Sequence, residues 1–376
     1  MGDRRHQGTG PLGRGHSAPL TSGPASSCGT PTRATRRRPE TMSEPVRVGL
    51  VGVGIIARTH LEVLAERPEV RLDFTVDPHA GPPSFRGAVP PHYRDMTEAL
   101  EAHQPDLIVI ATPTDTHAHL AVAALTGSRA RVLVEKPLVH DLDSLDRLRA
   151  LEGTVDVRGR LFTAHHFAFS PEIRWAARQI AEQPQWGPVT SITSAFHDPY
   201  ILRGEQAFAS YGSSWMDSGV NQLSVLACFV EPTELASAQE WDDGASAWYV
   251  CRYRSRDRLG SARLRTSWLA GSSSKQTALH FADSDVELWI DHTAMTGFAA
   301  QEGTLLASHG DDGQTPRKVA HYRPLYESLL SDRPDPVLGF DVAARVTELH
   351  RAAPRPAGVA GRGGRVSPWP SRCGRR

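Results

Sequence analysis

A lysine and a carboxylate stand side by side where a short apolar run, residues 131–134, ends in Glu135, Lys136 and Pro137. The chain has three lysines among its 42 basic residues, so a lysine at this place indicates that an ammonium group is required. Burial or neighbouring charges can lower the pKa of a lysine, whereas an arginine keeps its proton. Lys136 is therefore a candidate to bind a substrate oxygen and accept its proton, the alternative being an ordinary ion pair with Glu135.

A glycine-rich turn follows the first apolar run of the chain. That run, residues 46–52, ends in Gly52, and the turn reads GxGxxA from Gly52 to Ala57. The first glycine permits a tight turn, Gly54 lets backbone amides approach a pyrophosphate, and Ala57 allows close packing of helix and strand. Asp77 stands 23 residues after Gly54, at the end of the second predicted strand. Together these features predict a dinucleotide site, whereas the turn alone would be consistent with a chance tight turn.

Asp77 also bears on the choice of cofactor. A carboxylate can accept hydrogen bonds from a ribose diol and repels a 2′-phosphate, so NAD is favoured over NADP. NADP stays open because His79 and Arg86 are close enough in sequence to compensate the charge. A solvated turn aspartate before Pro78 is the other interpretation of Asp77.

Alternating strand and helix patterns surround these residues in the first half of the chain. Helices separate the predicted strands, which span residues 46–52, 72–76, 106–111 and 131–134. Val- and Ile-rich strands that alternate with helices predict an α/β Rossmann domain with a doubly wound parallel sheet. Ligands of such sheets bind at the carboxyl ends of the strands, where the glycine turn, Thr112, Pro113 and Lys136 all lie.

A different pattern begins after about residue 159. Predicted helices at residues 171–182 and 217–229 precede five strand-like runs of alternating polar and apolar residues, and helices at 322–330 and 340–352 close the body. The five runs are residues 233–239, 247–253, 261–269, 277–282 and 286–290. This predicts an α+β domain with a large, mostly antiparallel sheet. The predicted segments are a disordered basic extension at 1–45, an NAD(P)-binding domain at 46–158, a substrate and oligomerisation domain at 159–353, and a disordered basic tail at 354–376.

The composition excludes several classes of protein. The 376 residues, 39% of them apolar, suffice for a sizeable core. The sequence contains no run of 18 apolar residues, which a membrane-spanning helix would need. The two basic tails leave a body with a charge of about −10, which argues against nucleic acid as the main partner. Four scattered cysteines without a Cys/His cluster predict neither a zinc site nor a disulfide framework. We expect a cytoplasmic protein, with Met42 as the hypothetical true start.

Five stretches in this order resemble the Gfo/Idh/MocA oxidoreductases, and the resemblance covers residues 46–352. They are VGLVGVGIIA, ATPTDTH, VEKP, HHFAFSP and WMDSGVNQLSVL. The resemblance implies that the first domain binds NAD(P), that Glu135 and Lys136 reach the nicotinamide ribose and the substrate, and that the Lys136–Pro137 bond is cis. It also implies a small polyhydroxylated substrate and a homodimer or homotetramer. The residues expected to hold the cofactor are Gly52, Gly54, Ile55, Ile56, Ala57, Asp77, Thr112, Pro113, His117, Glu135 and Lys136.

The chain departs from the family in the run DSGVN, Asp217 to Asn221, where the family commonly has Asp-x-Gly-x-His. The family's histidine handles the substrate proton, but an asparagine is no proton acceptor at neutral pH. Lys136 or Asp217 would then accept the proton, unless this copy has lost the usual chemistry. The run at residues 217–225 is similar to the Asp-Pro-Gly-Ile-Asn-Ala-Leu-Ser-Ile segment of aldose 1-dehydrogenases that act on L-arabinose or D-galactose.

Two adjacent histidines, His165 and His166, stand in a segment where the family often has arginine or asparagine before an aromatic residue. Either could contact the substrate, although paired histidines at a strand end are more often structural. Metal binding is not expected, because no carboxylate or cysteine partner is evident near them in the sequence.

The predicted reaction is hydride transfer between nicotinamide and a sugar-like hydroxyl or carbonyl, with oxidation of an aldose C1 hydroxyl to a lactone as the working hypothesis. In it Lys136 binds the reacting oxygen, Asp217 orients it or acts as base, and Asn221 holds a neighbouring hydroxyl. Two alternatives stay open: a dehydrogenase acting on a secondary hydroxyl of an amino sugar, nucleotide sugar or cyclitol, and a non-catalytic NAD-binding regulator. The loop at residues 197–214 is expected to line the substrate pocket.

Overall fold

The computed structural model describes residues 44–202 and 211–351. The expectations for most of the basic extension and the basic tail, and for a start at Met42, lie outside these ranges. So does the middle of the predicted substrate loop, residues 203–210. None of the helices in the described ranges is both long and apolar enough to cross a membrane.

The first sheet has six parallel strands in the order β3-β2-β1-β4-β5-β6. They are β1 (Val46–Val51), β2 (Val70–Val76), β3 (His92–Tyr93), β4 (Leu107–Ile110), β5 (Arg131–Glu135) and β6 (Leu161–Ala164). The order reverses between β1 and β4, which places the crevice for ligands at the carboxyl ends of these two strands. Strands β4 to β6 are buried almost throughout, as expected for a parallel sheet covered on both faces.

Five helices connect the strands of the first sheet or lead into its last strand. They are α1 (Ile55–Ala65), α2 (Met96–Ala102), α3 (His117–Gly127), α4 (Leu142–Arg149) and the single turn α5 (Val157–Arg160). Asp95 caps α2 and Asp141 caps α4 by accepting hydrogen bonds from backbone amides of the first turn. At α1 the capping position is Gly54, which has no side chain to offer, so no side chain competes for the first amides of this helix.

The second sheet has eight strands in the order β14-β13-β12-β11-β7-β10-β9-β8. All described neighbours are antiparallel except β7 and β10. The strands are β7 (Val189–His197), β8 (Glu231–Trp241), β9 (Ser246–Ser255), β10 (Arg258–Ser267), β11 (Ser274–Phe281), β12 (Val286–Asp291), β13 (Thr296–Gln301) and β14 (Thr304–His309). The predicted fold class, a doubly wound parallel sheet followed by an α+β domain with a mostly antiparallel sheet, is confirmed.

In the described ranges, four helices accompany the second sheet: α6 (Pro171–Glu182), α7 (Ser214–Leu226), α8 (Arg317–Leu329) and α9 (Phe340–Arg351). Helices α6 and α7 pack on its inner face, whereas α8 packs on α1 of the first sheet and α9 on α4, β6 and α7. Residues 317–351, which follow the second sheet in the chain, therefore pack beside the first sheet.

Several element boundaries differ from the expectation, and two of them bear on the site. Strand β6 extends the first sheet beyond the boundary expected at residue 158, because a four-residue run without a clear turn before it gives too weak a pattern. Helix α7 begins at Ser214 rather than at Asp217, because the Ser213 side chain accepts a hydrogen bond from the backbone amide of Met216 and caps the helix.

The first turns of α7 are fixed by an aromatic contact. The indole ring of Trp215 is buried and stacks on Tyr249 of β9, with ring centroids 3.7 Å apart. A Cβ atom at Gly219 would lie 2.5 Å from the Trp215 ring, so the third residue of the Asp-x-Gly run has to be glycine for this packing. The contact holds Asp217, which lies between these two residues, in place.

Candidate active site

The glycine turn has the backbone geometry that its sequence predicts. Gly52 has a φ of 90°, and a Cβ atom there would lie 2.7 Å from the carbonyl oxygen of Ala111. At Gly54 a Cβ atom would meet nothing within 4 Å, so open space lies in front of it. Ala57 is fully buried at the contact between α1 and the sheet. The first glycine is thus required by the fold, and the second leaves room for a ligand.

A cavity of about 600 Å³ lies at the carboxyl ends of β1, β2 and β4. Of the residues predicted to hold the cofactor, it is lined by Gly52, Gly54, Asp77, Thr112 and Pro113. Ile55 and Ile56 are not part of the lining, and the Ile55 side chain is 83% exposed at the start of α1. His79 and Arg94 line the same cavity beside Asp77.

Asp77 is held by backbone amides. Its Oδ2 accepts a hydrogen bond from Val53 at 2.9 Å, and its Oδ1 accepts bonds from His79 at 2.9 Å and Ala80 at 2.7 Å. Burial raises the pKa of Asp77, but these three hydrogen bonds outweigh it, so the net pKa is lowered and the carboxylate stays ionised. A fixed negative charge at the end of β2 is what a ribose diol would meet there.

Arg86 points away from this charge. Its guanidinium donates hydrogen bonds to the carbonyl oxygens of Leu64, Ala65 and Arg67 at the end of α1 and of Val70 at the start of β2. Arg86 therefore closes the C-terminus of α1. The position of Arg86 in the sequence suggested that it could bind the 2′-phosphate of NADP beside Asp77. This geometry does not support that role.

Lys136 and Asp217 meet across the two domains. Lys136 Nζ lies 3.6 Å from Asp217 Oδ1 and donates a hydrogen bond to the Asp217 carbonyl oxygen at 3.4 Å. The Lys136–Pro137 peptide bond is cis, as the resemblance implied. Both side chains line a second cavity, of about 510 Å³, which shares Thr112 and Pro113 with the first. The lysine and the carboxylate thus lie where the dinucleotide cavity continues into a second space.

Asn221 lies one helical turn after Asp217 on α7, at the spacing that places two side chains on one helix face. It is 7% exposed, and no hydrogen bond in the described ranges joins its side chain to Lys136. Of the predicted substrate loop, Tyr211 lines the second cavity.

Glu135 is part of the interior. Its Oε1 accepts hydrogen bonds from His60 Nε2 at 3.0 Å and from the Tyr322 hydroxyl, and its Oε2 accepts one from the Lys136 amide at 3.2 Å. Burial raises the pKa of Glu135, but the bonds from His60 and Tyr322 and the charge of Lys136 hold the net pKa low. The carboxylate is 6% exposed, so it anchors the loop that carries Lys136.

His117 also anchors that loop. Its Nδ1 lies 2.9 Å from the Pro137 carbonyl oxygen and its Nε2 2.9 Å from the Thr112 carbonyl oxygen. Burial lowers the pKa of His117, and a neutral ring can donate to one of these two acceptors at a time. The residue is 1% exposed and lies behind the cavities, linking the loop after β4 to the loop after β5.

The two adjacent histidines have different surroundings. His165 is buried and donates from Nδ1 to the Val337 carbonyl oxygen at 3.0 Å, and burial lowers its pKa to about 4. His166 is half-buried, stacks on Tyr322 and has its Nδ1 3.1 Å from His321 Nδ1. His165 thus has a structural partner, and His166 is the better placed of the two to meet a ligand.

Three residues of the buried network were not expected from the sequence: His60 on α1 and Tyr322 and Tyr326 on α8. The Tyr326 hydroxyl lies 2.6 Å from His60 Nδ1. The sequence shows a histidine on the apolar face of α1 and two tyrosines four residues apart. It does not show that they contact each other, because His60 and Tyr322 are 262 positions apart in the chain.

The first cavity fits a dinucleotide on three observations. Space is open in front of Gly54, the first amides of α1 have no side-chain cap, and the cavity lies where the strand order reverses. Uncapped amides at a helix N-terminus favour a phosphate. The glycine turn and α1 would hold the pyrophosphate, and Asp77 the adenosine ribose.

Residues 46–162 match the sequence profile of GFO_IDH_MocA, described as an oxidoreductase family with an NAD-binding Rossmann fold. The first domain belongs to this family. For this domain, the Gfo/Idh/MocA resemblance and the prediction of NAD as the cofactor are thereby confirmed.

Inositol 2-dehydrogenase of Rhizobium meliloti (strain 1021) is 31% identical over 156 residues, which cover 41% of this chain and 46% of that protein. Rhizopine catabolism protein MocA of Rhizobium meliloti is 33% identical over 197 residues, which cover 51% of this chain and 60% of that protein. The chain spans about half the length of the curated relatives it matches.

The fold has a solved counterpart in scyllo-inositol dehydrogenase from Lactobacillus casei with bound NAD(H) and scyllo-inositol. The TM-score is 0.64 at 16% sequence identity, and the match covers 82% of this chain and 96% of that one. At this identity the likeness shows the fold alone.

Proposed function

We propose that the protein is an NAD-dependent dehydrogenase that acts on a hydroxyl group of a cyclitol or sugar. The observation that carries this proposal is the Lys136 ammonium, 3.6 Å from the Asp217 carboxylate, where the two cavities share Thr112 and Pro113. When bound, the nicotinamide supplies the redox chemistry. The chain supplies a proton-handling group and a cavity beside it.

Lys136 is the group that binds the reacting oxygen in this proposal. Its ammonium donates hydrogen bonds, and the amine can take up the hydroxyl proton once the ammonium has passed its own proton to the Asp217 carboxylate or to water. Asp217 balances the charge of the ammonium and orients it, helped by its own backbone carbonyl. Asn221 offers an amide for a neighbouring substrate hydroxyl, because it can donate and accept hydrogen bonds but takes no proton at neutral pH.

A secondary hydroxyl of a cyclitol is the substrate group that we favour. Several curated relatives, which match about half of this chain, are named inositol 2-dehydrogenases, which supports a ring alcohol. Oxidation of an aldose at C1 is the second candidate. The run Asp217 to Asn221, with asparagine in place of the family's usual histidine, favours it.

A substrate panel tests the proposal. Purified protein is incubated with NAD or NADP and myo-inositol, scyllo-inositol, L-arabinose or D-galactose, and the reduced cofactor is followed by its absorbance. We expect turnover with NAD on at least one ring polyol, and the products of inositol and aldose oxidation tell the two candidates apart. Tight NAD binding without turnover on any polyol would contradict the proposal and favour a non-catalytic regulator.

A further inference from the structure

Arg351, the last described residue of α9, lines the second cavity together with Lys136 and Asp217. Its side chain is half-buried, and burial lowers its pKa. Nη1 donates to the Met216 sulfur at 3.5 Å, which is a weak acceptor, and the buried Nε has no hydrogen-bond partner in the described part of the chain. A guanidinium in the proposed substrate space thus has unused donors.

The carboxylates around Arg351 have other partners. Asp217 pairs with Lys136, and Asp141 accepts a hydrogen bond from the Ser144 amide and lies 2.7 Å from His140. Within residues 44–202 and 211–351, no ion pair involves Arg351.

Glu348, which lies on the same helix three residues before Arg351, pairs with Arg149 and Arg345. Asp115 also lines the cavity, but it is exposed and forms no ion pair with Arg351. A desolvated positive charge is costly unless an anion compensates it. The charge of Arg351 is therefore available to an anion that enters the cavity.

We propose that Arg351 binds an anionic substituent of the substrate, a carboxylate in the first place, so that the preferred substrate is an acidic polyol rather than a neutral one. This inference rests on the proposed function of the same site. The planar guanidinium matches a carboxylate with two parallel hydrogen bonds, which a neutral hydroxyl cannot accept in the same way. Arg351 then sets specificity, while Lys136 and Asp217 meet the reacting group.

Matched pairs of neutral and acidic polyols test this role. The pairs are D-galactose with D-galacturonate, D-glucose with D-glucuronate, and myo-inositol with its 1-phosphate, each measured as kcat/KM with NAD. We expect the wild-type chain to prefer an acidic member, and Arg351→Met to lower kcat/KM for that member by about 10- to 100-fold. The neutral member should change by less than about threefold, because it makes no charge-assisted bond.

Two further variants separate charge from packing. Arg351→Lys keeps the charge and loses the two-pronged donor, so it should restore part of the preference for the acidic member. Arg158→Met removes an exposed arginine of α5 that pairs with Glu152 and Asp341 outside the cavity, and it should leave the preference unchanged. Equal losses on neutral and acidic members in Arg351→Met would overturn the inference, since they indicate a structural role.

A binding measurement tests the anion site separately from the dehydrogenase activity. The same pairs are titrated into the NADH-loaded protein by calorimetry, which needs no turnover. Tighter binding of an acidic member by the wild type than by Arg351→Met supports the anion site even if no polyol is oxidised. Turnover of neutral polyols with no preference for any carboxylate or phosphate member refutes the anion site and leaves the proposed dehydrogenase standing.

Discussion

Gly52 and Gly54 belong to one turn but are glycines for different reasons. Gly52 has a left-handed backbone and no space for a Cβ atom beside Ala111, so the fold itself requires glycine there. Gly54 has an ordinary negative φ and open space, so only a ligand requires glycine there. The pattern GxGxxA predicts that both glycines are required. Only the structure shows that the fold requires the first and a ligand the second.

Alanine at these two positions should give opposite results. Gly52→Ala should lower the free energy of unfolding by about 2–4 kcal/mol, through backbone strain and the contact with Ala111. Gly54→Ala should cost less than about 1 kcal/mol of stability, yet weaken NAD binding at least about tenfold, because its methyl group takes space the pyrophosphate needs. Urea unfolding and calorimetry with NAD measure the two effects. Unchanged NAD affinity in Gly54→Ala would argue against a pyrophosphate at this turn.

At the residue scale, the sequence predicts the groups that follow a strand or open a helix within a motif. Lys136 and Asp217 lie 81 residues apart in the chain, yet their motifs placed both at the crevice, and the structure brings them together. Arg351 and His60 could not be found in this way. Each is an ordinary residue on a helix, and its surroundings come from elements far away in the chain.

At the scale of elements, a buried network joins α1, β5 and α8 behind the crevice. His60 of α1 and Tyr322 of α8 both donate to the Glu135 carboxylate at the end of β5. Since the folded-state pKa of Glu135 is lowered, the ionised carboxylate stabilises the fold above its unfolded-state pKa. That contribution is lost as the pH falls through the lowered pKa.

Removal of the Tyr322 hydroxyl should therefore have a pH-dependent cost. Tyr322→Phe should reduce the free energy of unfolding by about 1–3 kcal/mol at neutral pH, because Glu135 loses a donor. The difference from the wild type should shrink in acid, once Glu135 is protonated in both proteins. The control Tyr326→Phe removes a hydroxyl that contacts His60 instead, and its cost should depend less on pH. Equal costs for Tyr322→Phe at neutral and acid pH would count against the account.

The elements are predictable from the sequence where their apolar pattern is regular. Helix α6 was expected with the bounds that the structure has, and the strands β9 to β12 within a few residues. The sequence does not predict β3, β6, β13 or the edge strand β14, because two to six residues with a mixed polar pattern give little periodicity. It also misses the central strand β7, because four serine and threonine residues interrupt its apolar pattern. Whether such short segments form strands depends on pairing with a neighbouring strand more than on the local preference of their residues.

At the scale of the whole molecule, one face of the eight-stranded sheet carries no helix in the described ranges. On this outer face Trp289 of β12 and Phe298 of β13 stack with ring centroids 5.4 Å apart. Aromatic side chains on an open sheet face are typical of surfaces that bind another chain. We propose that this face forms the interface of a homodimer or homotetramer, as the resemblance to the family implied.

Light scattering on the purified protein measures the oligomer directly. The wild type should have a mass of two or four chains, and Trp289→Glu should shift it toward one chain, because a charge at an apolar interface is costly. Val89→Glu, a change at an exposed position of the first domain, should leave the mass unchanged. A wild type that is monomeric at every concentration would contradict the proposed interface.

In the proposed reaction, Lys136 handles the proton of a hydroxyl group whose oxidation uses NAD. The most direct test of this role is the turnover of Lys136→Met and Lys136→Arg, each measured beside the affinity for NAD. Both variants should lose at least about 100-fold in kcat and keep NAD affinity within about threefold, because arginine retains the charge but cannot release a proton. Near-parental turnover in Lys136→Met on the substrate that the wild type oxidises would contradict the claim.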